Sequence, residues 1–179
     1  MEPIQFWIAQ GFTGIAIILG FVSFQLKTQR QLIIAQTATA LMFCISYLLL
    51  DAPTGLALNL VAIFRNGVYY IRDKKGSKSM LFPIIFAIIQ GSMGALTWEG
   101  WYSALSAGGI VINTLCMSFK DPQNVRKSIL FTSPMVLIYN ACVQSYGGII
   151  YESVAIASSV IGILRTRKRK KKAAVHESF

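Results

Sequence analysis

The chain of 179 residues has little charge: 13% of its residues are charged, whereas 54% are hydrophobic. A soluble domain of this size needs far more polar surface to stay in solution. Runs of about 17–21 residues almost without Lys, Arg, Asp or Glu recur along the sequence. Each is long enough to cross a hydrocarbon core of about 30 Å as a helix. The lack of charge therefore excludes a soluble globular protein and predicts a polytopic membrane protein.

Residues that carry catalysis or bind metals are also scarce. The single histidine, His176, lies in the C-terminal tail, and the sequence has no paired carboxylates, HExxH motif or glycine-rich phosphate loop. The cysteines Cys44, Cys116 and Cys142 are far apart and lie within apolar runs, which argues against a disulfide framework or a metal cluster. We expect no enzyme, metal or cofactor, and interpret the cysteines as small packing residues.

The net charge of +10 does not indicate a nucleic-acid partner. Sixteen of the seventeen basic residues lie in short loops or in the tail, where they determine the orientation of a membrane protein. The basic run 167–172 follows the last apolar run directly, so we expect it to anchor that helix and to attract anionic lipids. His176, beyond this run, is expected to be unstructured.

Seven apolar runs are expected to form transmembrane helices, because an open sheet cannot satisfy its edges in lipid. The N-terminus has neither a basic region nor a clear cleavage site of small residues, so no cleavable signal peptide is expected. Pro83 falls in the first turn of the fourth span, Pro134 is expected to kink the sixth, and Pro122 falls in a loop. The predicted spans are 4–24, 31–50, 54–71, 80–96, 101–119, 128–143 and 147–164.

Loops with basic residues alternate strictly with loops that have none. The loops after the first, third and fifth spans and the tail carry Lys or Arg, whereas the other loops carry none. Because cytoplasmic loops are the basic ones, this pattern predicts an outside N-terminus and a cytoplasmic C-terminus. Trp7, Trp98 and Trp101 fall near the predicted outer boundary, as in an interfacial aromatic belt.

The sequence also contains an internal repeat with an offset of 93 residues, in which Gly55 corresponds to Gly148 and Asn59 to Glu152. One linker span between two triplets makes the repeats parallel, related by an axis along the membrane normal. We therefore predict an all-α membrane protein of two three-helix repeats. The predicted units are 1–75 (first repeat), 76–97 (linker helix), 98–165 (second repeat) and 166–179 (basic cytoplasmic tail).

Arg65 and Glu152 are the two charges that fall well inside predicted spans. A carboxylate at the centre of a membrane helix costs about 2.5–3.5 kcal/mol on insertion scales. Glu152 is therefore either a solute or proton site, or a structurally paired group near the outer interface. Arg65 either has a functional role or extends its long side chain toward the cytoplasmic interface. An ion pair between the two residues, or a water cavity that both share, is a further alternative.

Neutral polar residues inside the spans complete the candidate site. They either bind a solute or join helices by hydrogen bonds, which contribute about 0.6 kcal/mol each on average. The expected solute-binding residues, with the two charges included, are Asn59, Arg65, Asn66, Asn113, Tyr139, Asn140 and Glu152.

Several short motifs occur together: Trp7-Ile8-Ala9-Gln10-Gly11, the region of Arg65, and Ile138-Tyr139-Asn140 followed by Gly147-Gly148 and Glu152. With these motifs the chain resembles the YgjV family of bacterial inner-membrane proteins over nearly its whole length. The 3+1+3 arrangement that this implies is similar to that of SWEET sugar transporters, PQ-loop proteins and PnuC vitamin transporters.

The resemblance to SWEET transporters implies a central pathway lined by the third helix of each triplet, where asparagines hold the solute. By position, Asn59 and Asn66 in the third span and Glu152 in the seventh would be the counterparts. Spans one and five lack the prolines that SWEET pore helices carry near their ends, so alternating access is not part of the expectation.

We therefore predict a multi-pass protein of the bacterial cytoplasmic membrane that transports or binds a small polar solute between the third and seventh helices. The alternative is a non-transporting scaffold or receptor, because fold does not determine function. Two triplets in one chain remove the need for a dimer, and the sequence favours no oligomeric state.

Overall fold

The computed structural model describes residues 3–25, 29–74, 79–117 and 122–176, and within these ranges the chain forms helices and no strands. The predicted all-α class and the number of helices are confirmed for this part of the chain. Most helix ends lie within three residues of the predicted boundaries. The helices are α1 Pro3–Gln25, α2 Gln29–Leu49, α3 Pro53–Lys74, α4 Leu81–Leu96, α5 Trp101–Cys116, α6 Pro122–Cys142 and α7 Tyr146–His176.

Proline marks several of the helix starts. Pro3, Pro53 and Pro122 are the first residues of α1, α3 and α6, and Pro83 lies in the first turn of α4 as predicted. Proline is favourable there because the first N–H groups of a helix have no partner within the helix. The prediction that Pro122 lies in a loop was wrong for this reason. Pro134 lies inside α6.

Helix α7 is the longest, with 31 residues, and it continues through the basic run to His176. The expectation of an unstructured His176 was therefore wrong. Lys, Arg and Ala are strong helix formers, and extending an existing helix avoids the unfavourable nucleation step.

Among the residues that the structure describes, two helices are long and apolar enough to cross a membrane on length and composition alone, within Ile4–Val22 of α1 and Tyr146–Thr166 of α7. Shorter apolar segments occupy Ile33–Leu49 in α2 and Leu81–Leu96 in α4.

Polar side chains lie inside the helix bundle and apolar side chains cover it. The described residues include sixteen buried polar or charged side chains beside seventeen buried hydrophobic ones. Every helix also exposes large apolar side chains, among them Ile18, Phe64, Ile88 and Phe131. So many exposed large apolar side chains are unusual for a soluble monomer, and a lipid environment accounts for them.

Six helices form a closed ring, in which contacts run in the order α1, α2, α3, α5, α6, α7 and back to α1. Helix α4 lies outside this ring against α3 and α5. Among the described residues α3 and α7 have no direct backbone contact, because they lie on opposite sides of the ring.

The turns that precede α3 and α7 have the same geometry. Asp51 and Gln144 have positive φ angles of 53° and 56°, and no other described residue except glycine does. In each turn the next residue donates its N–H to the carbonyl oxygen five residues earlier, at 3.0 Å and 2.9 Å. This is the bond that closes a helix end of the Schellman type. The two turns are 93 residues apart, which is the offset seen in the sequence.

Candidate functional site

Buried polar groups of the bundle form two separate clusters. The first, the Tyr139 cluster, comprises Tyr47, Thr54, Glu99, Tyr139 and Asn140. The second, the Arg65 cluster, is described below.

Glu99 and Tyr139 cap the start of α3. The Glu99 Oε2 atom accepts the N–H of Thr54 at 3.1 Å and the hydroxyl of Tyr139 at 3.0 Å. The Tyr139 hydroxyl in turn accepts the N–H of Gly55 at 2.7 Å. These N–H groups belong to the first turn of α3, where they have no partner within the helix and where the helix dipole favours a negative charge. One carboxylate thus joins the start of α3, the segment before α5, and α6.

Gln10 caps the start of α7 in a similar way. Its Oε1 atom accepts the N–H of Gly147 at 3.1 Å, and its Nε2 atom donates to the carbonyl of Gln144 at 3.0 Å. Gly147 lies 93 residues after Thr54. The start of α7 is therefore capped by the neutral Gln10 of α1, and the start of α3 by the charged Glu99, which precedes α5.

Tyr47 and Asn140 meet across the ring and connect α2 with α6. The Tyr47 hydroxyl donates to Asn140 Oδ1 at 2.5 Å, and both side chains are buried. The Asn140 Nδ2 atom is buried too, but it has no hydrogen-bond partner. Gly148 of α7 leaves the space for this amide, because a Cβ there would lie 2.6 Å from Asn140 Cγ.

Glu152 lies one helical turn beyond Gly148 on the same face of α7. Its carboxylate accepts a hydrogen bond from the hydroxyl of Ser133 on α6. It also lies within electrostatic range of the buried Tyr47 and of Tyr151. Ser133 is buried, whereas Glu152 itself is partly exposed. Ser133 is neutral, and no basic side chain among the described residues forms an ion pair with the Glu152 carboxylate.

The Arg65 cluster comprises Arg65, Asn66, Tyr69, Gln90 and Thr114. Arg65 Nη1 donates to Thr114 Oγ1 at 2.6 Å, and its Nε and Nη2 atoms donate to Asn66 Oδ1 at 3.2 Å and 3.0 Å. The Thr114 hydroxyl donates to Gln90 Oε1 at 2.5 Å. The Arg65 guanidinium also lies over the Tyr69 ring, 5.9 Å from its centroid, in a cation–π arrangement.

The Arg65 side chain is only 4% exposed, and its guanidinium is bound by Thr114 of α5. The sequence of α3 does not reveal this hydroxyl on another helix. The alternative of an ion pair with Glu152 is not formed, since each charged group has other partners and α3 does not contact α7.

Five of the seven predicted site residues thus belong to a cluster or lie beside one: Arg65, Asn66, Tyr139, Asn140 and Glu152. Asn59 donates to the Gly55 carbonyl of its own helix at 2.9 Å. Asn113 belongs to neither cluster, and its Oδ1 atom is buried without a partner.

Sequence reasoning missed Glu99, Tyr47 and Thr114. A signal existed for Tyr47, because it is the position that corresponds to Asn140 in the repeat. Glu99 is the single charge in its loop, which indicated a loop residue and not a helix cap. Nothing in the pattern of α5 distinguishes Thr114.

Comparison with known proteins places the chain in a family. No curated protein and no solved structure is significantly similar to the chain. A family model described as a bacterial inner membrane protein, YgjV, matches residues 7–170. The apolar helices and the polar interior agree with that description. Because the match covers most of the sequence, the chain belongs to the YgjV family of bacterial inner membrane proteins.

Proposed function

We propose that this inner membrane protein binds a small polar solute inside the helix ring and moves it along a path between α3 and α7. Glu152 is the observation that carries the proposal. It is a partly exposed carboxylate within a helix, and its partner Ser133 is neutral. An ionisable group within a membrane helix is costly, and a functional site is the default hypothesis for it.

The groups around Glu152 have complementary roles in this proposal. Its carboxylate accepts hydrogen bonds from the solute, and the unpartnered Asn140 Nδ2 atom donates one. Tyr47 fixes the Asn140 amide, because its hydroxyl holds the Oδ1 atom and so directs Nδ2 away from itself. Asn59, which corresponds to Glu152 in the repeat, faces the path from the opposite side.

We also infer that all seven helices span the membrane as two parallel repeats, with the N-terminus outside and the basic end of α7 at anionic lipids of the cytoplasmic surface. The ring supports the repeat, because its contacts are unchanged when α1–α3 are exchanged with α5–α7. The two matching turns support it as well. The Tyr47–Asn140 hydrogen bond joins residues 93 positions apart, as expected at the axis that relates the repeats.

Solute binding is expected to depend on Glu152. Purified protein is screened against a broad set of small metabolites for a rise in its unfolding temperature. At least one solute is expected to stabilise the wild type, and Glu152→Gln is expected to weaken its affinity at least tenfold, because the amide replaces a charged acceptor. Asp51→Asn, which removes an exposed carboxylate at a turn, should keep the affinity. No solute in the screen, or equal affinity in Glu152→Gln, would count against the proposal.

A static scaffold or receptor is the second candidate. The observation in its favour is the Tyr139 cluster, whose hydrogen bonds join α3, α6 and the segment before α5. A helix movement that opens a pathway would have to keep or replace these bonds. A scaffold does not need a water-filled ring, whereas a solute path does.

A further inference from the structure

Arg65 is a buried cation without an anion. Every hydrogen bond that its guanidinium makes ends on a neutral side chain, Asn66 or Thr114. No carboxylate among the residues that the structure describes contacts it. An arginine remains charged in proteins, and a buried charge is stable only when it is paired and hydrogen-bonded. The positive charge of this cluster is thus not compensated by any residue that the structure describes.

Unused hydrogen-bond donors surround the same point. The Nη1 and Nη2 atoms of Arg65 each carry a second N–H, and no described residue accepts from either. The Nε2 atom of Gln90 is buried without a partner as well, and Gln90 is 0% exposed. Both side chains bind the same Thr114 Oγ1 atom, at 2.6 Å and 2.5 Å. The guanidinium and the amide are therefore held around one hydroxyl, and both have unused N–H groups.

We propose that the Arg65 cluster binds a small monovalent anion, such as a halide or a carboxylate group, between the Arg65 guanidinium and the Gln90 amide. One negative charge neutralises the one positive charge of the cluster, whereas a divalent anion leaves an excess. A lipid headgroup is not the expected ligand, because Arg65 and Gln90 are nearly or fully buried and a phosphate at the protein surface does not reach them. The Thr114 hydroxyl accepts from Arg65 Nη1 and donates to Gln90 Oε1, so it links the guanidinium to the amide group whose Nε2 atom is unpartnered.

This site is separate from the solute path proposed above. It lies between α3, α4 and α5, whereas Glu152 binds Ser133 between α6 and α7. The two proposals can therefore fail independently.

The test measures the unfolding temperature of the purified protein in sodium chloride, formate, sulfate and gluconate at matched ionic strength. Chloride or formate is expected to stabilise the wild type in a saturable way, whereas gluconate, a large anion, is not. A response to chloride alone identifies an inorganic ion, and a response to formate alone identifies the carboxylate of an organic solute. The proposal would be overturned if neither chloride nor formate stabilises the protein in a saturable way, or if sulfate does so more strongly.

Gln90→Glu is the decisive variant, because it places a carboxylate where the anion is expected. It should be more stable than the wild type in gluconate, and its apparent affinity for chloride or formate should fall at least tenfold. Lys74→Gln removes an exposed basic residue of the same helix as Arg65 and should respond like the wild type. Line broadening of chloride-35 resonances reports binding without unfolding. Equal responses of Gln90→Glu and wild type in both measurements would refute the site.

Discussion

Glu99→Ala is expected to lower the free energy of unfolding by about 3 kcal/mol, because two donors lose a charged acceptor and such bonds contribute about 1.5–3 kcal/mol each. The donors are the Thr54 N–H and the Tyr139 hydroxyl. Thr54 and Tyr139 are both 0% exposed, so water cannot replace the lost acceptor without a rearrangement. Unfolding of the purified protein in mixed detergent micelles measures the change.

Glu99→Gln is the matched variant for this prediction. Its side-chain carbonyl can still accept from both donors, so the loss should be roughly half that of the alanine variant, since neutral hydrogen bonds are about half as strong. Asp51→Asn, which removes an acid from a different turn, should leave the stability unchanged. Wild-type stability in Glu99→Ala would show that the Glu99 carboxylate does not hold the start of α3.

Gly55→Ala is expected to destabilise the protein by about 1–3 kcal/mol, the range for overpacking a well-packed core. A Cβ at this position would lie 2.8 Å from the Tyr47 ring and 2.9 Å from the Tyr139 hydroxyl. It would therefore displace both tyrosines from their hydrogen bonds with Asn140 and Glu99. The same unfolding assay measures the effect, and solute binding should weaken with it because Tyr47 no longer fixes the Asn140 amide.

Gly67→Ala is the control on the same helix, since a Cβ at Gly67 has no neighbouring atom within 4 Å. It should be neutral. Gly148→Ala disturbs the same tyrosine–asparagine pair from α7, so the double variant Gly55→Ala with Gly148→Ala should cost less than the sum of the single ones. Equal stabilities of the Gly55 and Gly67 variants, or strict additivity with Gly148, would contradict a shared central pair.

The positions of the helices could be predicted because an apolar run and its charged flanks are properties of local sequence. The two failures are local as well. Pro122 was placed in a loop although proline is favourable as the first residue of a helix. The basic run after Leu164 was judged by its charge and not by its helix propensity, so the length of α7 was underestimated.

The site was harder to predict because it depends on which helices are neighbours. Tyr139 and Asn140 were identified as polar groups in an apolar helix, but their partners Glu99 and Tyr47 lie on other elements. Arg65 was identified as well, whereas its burial follows from Thr114 and Gln90 on α5 and α4. The repeat led us to expect α3 and α7 next to each other, but they lie on opposite sides of the ring. The hydrogen bond that crosses the ring joins Tyr47 of α2 and Asn140 of α6 instead.

The central claim is that the inside of the ring is hydrated at Glu152, and reaction of single cysteines with a membrane-impermeant thiol reagent tests it most directly. The background lacks the native Cys44, Cys116 and Cys142. Glu152→Cys and Asn59→Cys are expected to react from the aqueous phase, whereas Ile161→Cys, on an exposed apolar face of α7, is not. Reaction at both inner positions and protection at Ile161 is the result that a solute path predicts. No reaction at position 152 from either side of the membrane would mean a dry bundle and would contradict the account.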